Sequence, residues 1–189
     1  MSVTALEALE RRRTVRNYDP NWQIPKETLD KIMHAAQLSP TACDFQGQDF
    51  IVVTNKEKLA QLEKAVLDCL PEDNFKKHFV ERRERHNVKN VVTCDAPCVV
   101  LIVKNERANE DWIKMDAGIA SMALMTAAQN FGIESMCFGV IALKTTQAKC
   151  EELFGLKKGS LLVGIALGKP IGELKLHEKQ IKCKVSYIE

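Results

Sequence analysis

The sequence predicts an α+β fold built on a mixed sheet. Three observations lead there. Segments with helical spacing of apolar residues are interleaved with short β-branched runs, but at irregular intervals. Two helical segments come before any strand, and the last strand-like run stands alone at the C-terminus. A regular βαβ repeat shows none of these irregularities. The 189 residues suit one domain, 1–189, with a real core, and no repeat or low-complexity tract divides them.

Taken in order, Leu6 and Leu9 share a face of a first short helix, capped at Thr4, that runs into the arginine-rich stretch RRRTVRNYDP at Arg11–Pro20. A second helix starts at Pro25, a residue suited to a first helical position, and carries Leu29, Ile32, Met33 and Ala36 until Ser39–Pro40 stops it. FIVVT at Phe50–Thr54 reads as a strand. Asn55 caps a third helix with Leu59, Leu62, Val66 and Cys69 inward, and Pro71 breaks it. The very polar segment Asp73–Asn90 has only a thin apolar face, and a helix and loop forming a lid over about 70–92 are expected. CVVLIV at Cys98–Val103 has the length and continuity of a central strand. A long helix from Asp111 to about Asn130, ended by Gly132, is apolar or small on every side, so it requires cover all round, from its own chain or a partner. ESMCF and a glycine turn follow, then a helix over Thr146–Phe154, a buried strand within Ser160–Pro170, and a final alternating strand KVSYIE after a polar linker.

Composition narrows the function. Apolar residues make up 46%, and a net charge of +2 argues against nucleic acid as partner. Seven widely spaced cysteines, an odd number without a CxxC pair, read as free thiols in a reducing cytoplasm. The N-terminus, with Glu7 and Glu10, lacks the apolar core of a signal peptide. The uncharged run Ala117–Ile133 is too short and too polar for a membrane span.

Chemistry-bearing motifs are sparse. Neither GxGxxG nor GxxxxGK[ST] occurs, so a bound phosphate would be held mainly by side chains. The four histidines are scattered without HExxH or HxH spacing, and no GxSxG elbow exists. Cys43 and Cys137 have no local nucleophile signature. Four arginines within six residues leave two readings open, a solvated basic face or an anion pocket in which Arg12, Thr14 and Arg16 point the same way. Without a reactive constellation of side chains, a cofactor is the natural carrier of chemistry.

Five stretches in order resemble the small FMN-dependent nitroreductases. ALERRRTVRNYDP is similar to that family's RRSxRxF signature, with Thr14 for serine and Tyr18 for phenylalanine. AAQLSPTACDFQGQDFIVVT, APCVVLIV, DAGIASMALMTAAQNFGIESMCFG and LVGIALGKP resemble its following segments, so the likeness covers nearly the whole chain. The resemblance implies a mainly antiparallel sheet flanked by helices, and a homodimer joined through the long helix and the C-terminal strand. It implies one FMN per subunit at the interface and NADH or NADPH as reductant. Nitroaromatics, quinones or similar molecules would be the acceptors, by a ping-pong mechanism without an essential catalytic side chain.

Carried over by position, Arg12, Arg13, Thr14 and Arg16 would hold the FMN phosphate and part of the flavin edge. Pro40, Thr41 and Ala42 would lie against the ring from the partner, and Asp44 and Gln46 would reach the ribityl chain or flavin. Cys137, Phe138 and Gly139 would form the turn under the ring, with Lys179, then Lys182, completing the phosphate site. Asp44 stands where the family has asparagine, and Gly47–Gln48 where it has Pro-Trp. Two other activities fit the same resemblance: an FMN-binding sensor or store, and a flavin-fragmenting or dehalogenating relative.

Overall fold

The uninterrupted apolar run at the centre of the sequence lies at the centre of the sheet. In the computed structural model, which describes residues 3–174 and 179–189, it forms β2 (Cys98–Lys104). This strand lies between β1 (Gln48–Val53) and β4 (Leu161–Gly168), and β3 (Glu134–Phe138) pairs with the far side of β4. All three strand pairs are antiparallel. A parallel bridge from Thr14 to Ser135 adds the mixed character. Alternation explains why β2 is apolar throughout. Val99, Leu101 and Val103 enter one core cluster, while Cys98, Val100 and Ile102 enter clusters on the opposite face.

Helices cover both faces. They are α1 (Ala5–Arg11), α2 (Lys26–Gln37), α3 (Lys56–Cys69), α4 (Asn74–Val80), α5 (Arg82–Arg85), α6 (Ile113–Asn130) and α7 (Gln147–Phe154). On one face α2 and α6 bring Ile32, Ala36, Leu124 and Ala128 against Val100 and Ile165. On the other, Leu62 and Val66 of α3, Phe79 of α4 and the buried Val91 and Val92 pack on Leu101 and Met136. Each large side chain fully buried in this way contributes about 1.5–3 kcal/mol. Local signals set the helix starts. Thr4 and Glu7 form a reciprocal capping box on α1, and Asn55 accepts from Lys58 N at 2.9 Å on α3.

The structure differs from the sequence expectations in two places, the polar segment before β2 and the C-terminal tail. The polar segment before β2 holds two short helices, α4 and α5, because Asp73 caps the first by accepting from Phe75 N and Lys76 N and Phe79 is buried. The long helix α6 is covered by its own chain on one side, which leaves open the expected alternative of cover by a partner on the other. Asp116, Ala117, Ala120 and Leu124 are buried, but Met115, Gly118 and Ile119 face outward. KVSYIE forms no strand. Residues 179–189 run without secondary structure, every one is exposed, and they pair with no strand among the described residues. The linker before it passes through residues 175–178, which, with His177, lie outside the described residues. Among the described residues no helix is long and apolar enough to cross a membrane.

Candidate active site

The basic stretch is pinned between two strand ends. Arg12 is the C-cap of α1, after which the chain extends. Val15 N donates to Ser135 O at 3.2 Å, at the start of β3. Tyr18 N donates to Cys94 O at 3.1 Å and Asp19 N to Lys169 O at 2.9 Å, just past β4. Val15 and Tyr18 are buried and anchor the segment, which leaves its polar side chains to the surface.

Those side chains line a cleft of about 680 Å3. One wall is Arg13, Thr14, Arg16 and Asn17, a second is Arg85, His86 and Asn87 at the end of α5, and a third runs from Pro170 to Leu174. Arg12 does not share the cleft with Thr14 and Arg16. As a helix cap it lies before strand alternation begins, and its charge is felt at Glu134 and Cys137 instead. Arg13 takes its place, braced by donating from Nη1 to Arg12 O at 3.0 Å.

The cleft is strongly cationic. No carboxylate among the described residues forms an ion pair with Arg16. Burial lowers the pKa of His86 below its ordinary value, and Arg16, Arg85 and Arg82 lower it further. Burial also lowers Arg82, with Arg16 next in effect. Burial raises Glu134 and Cys137, and the charge of Arg12 opposes both shifts.

The loop Pro40–Gln46 is a separate wall. It holds a 3-10 turn over Ala42–Asp44, and Cys43, Asp44 and Gln46 all have left-handed backbones, with φ of 48°, 53° and 48°. Non-glycine residues adopt that conformation at a cost, so the loop needs external restraint. Ala42 N donates to the buried Asp116 Oδ1 at 3.2 Å, and Gln46 N donates to Thr41 Oγ1 at 3.0 Å. Asn105 Nδ2 and Arg107 Nη2 both donate to Gln46 O, at 3.0 and 3.1 Å. Asp44 accepts from Gln46 Nε2 at 2.9 Å. A β-carbon on Gly47 would meet Ala108 Cα at 2.5 Å, so only glycine fits this close approach. No residue of this loop lines the basic cleft.

A profile of the nitroreductase family matches residues 9–169. The chain belongs to the nitroreductase family. Its relatives include a "Putative NADH dehydrogenase/NAD(P)H nitroreductase" of Methanothermobacter thermautotrophicus, 30% identical over 82% of this chain and 70% of that one. A CLA biosynthesis enone reductase of Lactiplantibacillus plantarum is 27% identical over 92% of this chain and 88% of that one. The crystal structure of a Bacteroides fragilis nitroreductase with bound FMN superposes with a TM-score of 0.80 at 25% identity, covering 100% of both chains.

The remaining residues expected from the resemblance fall as follows in this nitroreductase-family chain. Cys137 and Gly139 are exposed at the end of β3, whereas the Phe138 ring is buried over Gly164, leaving its backbone as the part near the turn. Pro40 is exposed, and Thr41 and Ala42 are half-buried. Lys179 and Lys182 lie in the exposed tail and do not line the cleft. Sequence reasoning missed Asp116, Asn105 and Arg107 as braces of the loop, and Arg85, His86 and Asn87 as a wall of the cleft. The dense basic run Arg82, Arg83, Arg85, His86 was the available signal for the latter.

Proposed function

We propose that the chain is an NADH- or NADPH-dependent FMN oxidoreductase that works as a homodimer. The observation that carries this reading, alongside family membership, is the cationic cleft built by the RRTVR segment. Arg13, Thr14 and Arg16 converge there, with no carboxylate paired to Arg16 among the described residues. Guanidinium forks and a hydroxyl suit the three terminal oxygens of a phosphate monoester, so the residues present fit FMN. When bound, FMN would supply the redox chemistry, two-electron transfer between NADH or NADPH and a nitroaromatic, quinone or similar acceptor.

The side chains bind, orient and shield. Arg13, Thr14 and Arg16 hold the phosphate, and Arg12, beside Cys137 and Glu134, reaches the flavin edge from the β3 side. The turn Cys137–Gly139 offers backbone N–H toward N5. Pro40, Thr41 and Ala42 cover the ring from the second subunit, with Asp116 holding the loop's shape. Asp44 has its carboxylate engaged within the loop by the Gln46 amide. Lys179 or Lys182 of the tail completes the phosphate site.

The homodimer is supported by apolar surface that one chain leaves open. Met115 and Ile119 form an outward stripe on α6, and Leu6 and Leu9 are exposed on α1, which packs against α6. Ile181, Val185, Tyr187 and Ile188 of the tail are at least 76% exposed, too apolar a segment to leave in water. The ring-covering loop and the phosphate cleft are also separate walls within one chain, as a site shared between two chains requires.

The test is anaerobic titration of FMN-loaded protein with NADH or NADPH, followed by a nitroaromatic or quinone. Loss of the flavin absorption band and its return on adding acceptor are expected. Protein that takes up no FMN contradicts the cofactor assignment, and FMN-loaded protein that never bleaches contradicts turnover.

A further inference from the structure

Three arginines, Arg82, Arg83 and Arg85, gather on α5, and the phosphate site described above uses none of them. The run Glu81–Arg85 divides its arginines by geometry. Arg83 pairs with Glu63 Oε1 at 3.0 Å, and that same carboxylate oxygen accepts from Val91 N at 2.7 Å, which fastens the segment to α3. Arg82 lies over the Phe79 ring, 4.3 Å from its centroid. Arg85 turns into the cleft, where its nearest carboxylate, Glu81, is 3.8 Å away, at the loose limit of an ion pair. His86 and Asn87 line the same wall, and Asn87 has a left-handed backbone with φ of 51°. Glu173 is the sole acidic residue among the cleft's lining.

A phosphate monoester carries about −1.5 to −2 charges near neutral pH, which Arg13 and Arg16 suffice to meet. Arg85 then remains as surplus positive charge on a different element facing the same space, with Arg82 on the same helix close enough to feel Arg16. Like charges gathered without a counter-anion repel, and both Arg82 and His86 register that repulsion from Arg16.

We infer that Arg85, with His86 and Asn87 beside it and Arg82 behind, forms a second anion subsite that takes the carboxylate or phosphate of the exchanging substrate. The inference rests on the flavin reading for what is exchanged there. The anion has two sources, an acidic group on the electron acceptor or the extra phosphate that distinguishes NADPH from NADH. In either case the substrate is anionic, and Arg85 and His86 select it against its neutral or less charged analogue.

The test uses FMN-loaded wild-type protein, Arg85→Gln and Arg85→Lys, since the Arg85 side chain is 51% exposed and its replacement leaves the core intact. Two ratios of kcat/KM are measured: para-nitrobenzoate over para-nitrobenzyl alcohol, and NADPH over NADH. In Arg85→Gln one ratio falls by about tenfold or more, the loss of one charge-assisted contact, and Arg85→Lys restores part of it. A fall in the first ratio identifies the acceptor's acid group as the anion, and a fall in the second identifies the NADPH phosphate. Both ratios unchanged overturns the subsite. Loss of FMN from Arg85→Gln also overturns it, because Arg85 then belongs to the cofactor phosphate. Calorimetric titration of para-nitrobenzoate and NADPH gives a readout without turnover. If the loaded protein reduces nothing, the oxidoreductase reading fails, while weaker binding of either anion to Arg85→Gln still upholds the subsite and equal binding of both still refutes it.

Discussion

A β-carbon on Gly164 would stand 2.5 Å from Cζ of Phe138, its cross-strand partner. Glycine at this point lets the aromatic ring lie flat across β4, which fixes the strand that ends in the Cys137–Gly139 turn. Gly164→Ala is expected to cost about 1–3 kcal/mol by overpacking, seen as a lower denaturation midpoint, with partial recovery in the double variant Phe138→Leu, Gly164→Ala. Equal stability of Gly164→Ala and wild type contradicts this packing. Glu134 makes a second residue-level prediction. Burial raises its pKa above 4.5, against the opposing effects of the Gln129 hydrogen bond and Arg12. The folded chain therefore holds this proton more tightly than the unfolded chain. The corresponding stability is full below about pH 4.5 and is lost as pH rises through the raised value. Denaturation of Glu134→Gln across that range should show a flatter pH dependence than wild type, and parallel curves contradict the shift. At this same scale the sequence was least legible. Arg12 and Arg13 are adjacent and identical, and only the helix end at Arg11 decides which one enters the cleft. Asp116 looks like any acidic residue of a helical first turn until the fold buries it against Ala42 N.

Elements were more legible, because their signals are periodic and local. The strand at β2 and the helices at α2, α3 and α7 follow from apolar spacing and caps, and they lie where the residues indicate. Alternation along β2 has two buried sides, so it reads as a continuous apolar run and needs no partner to be recognised. The tail fails for the opposite reason. Alternation in KVSYIE states a preference for extended backbone, but a strand exists only when another strand supplies its hydrogen bonds, and none among the described residues pairs with this segment. The segment from Asp73 to Asn90 is intermediate. Its polarity signalled exposure, while the alternation of roles among Arg82, Arg83 and Arg85 depended on Glu63 and Phe79, which come from other places in the chain.

At the scale of the whole molecule, one chain leaves two kinds of business unfinished: apolar residues outside on α6 and the tail, and a cationic cleft separated from the loop proposed to cover the ring. The proposed second copy would answer both. Removing residues 179–189 is expected to shift the protein toward monomer in sedimentation measurements and to weaken FMN retention in step. A truncated protein that stays dimeric and keeps its flavin contradicts the role given to the tail. The central claim is narrower, that the RRTVR segment holds the phosphate of FMN. Quenching of FMN fluorescence on titration into flavin-free protein tests it directly. The account predicts saturation at one FMN per chain for wild type and at least about a hundredfold weaker binding for the double variant Arg13→Ala, Arg16→Ala, the loss of two charge-assisted contacts. Unchanged affinity in a folded double variant contradicts it.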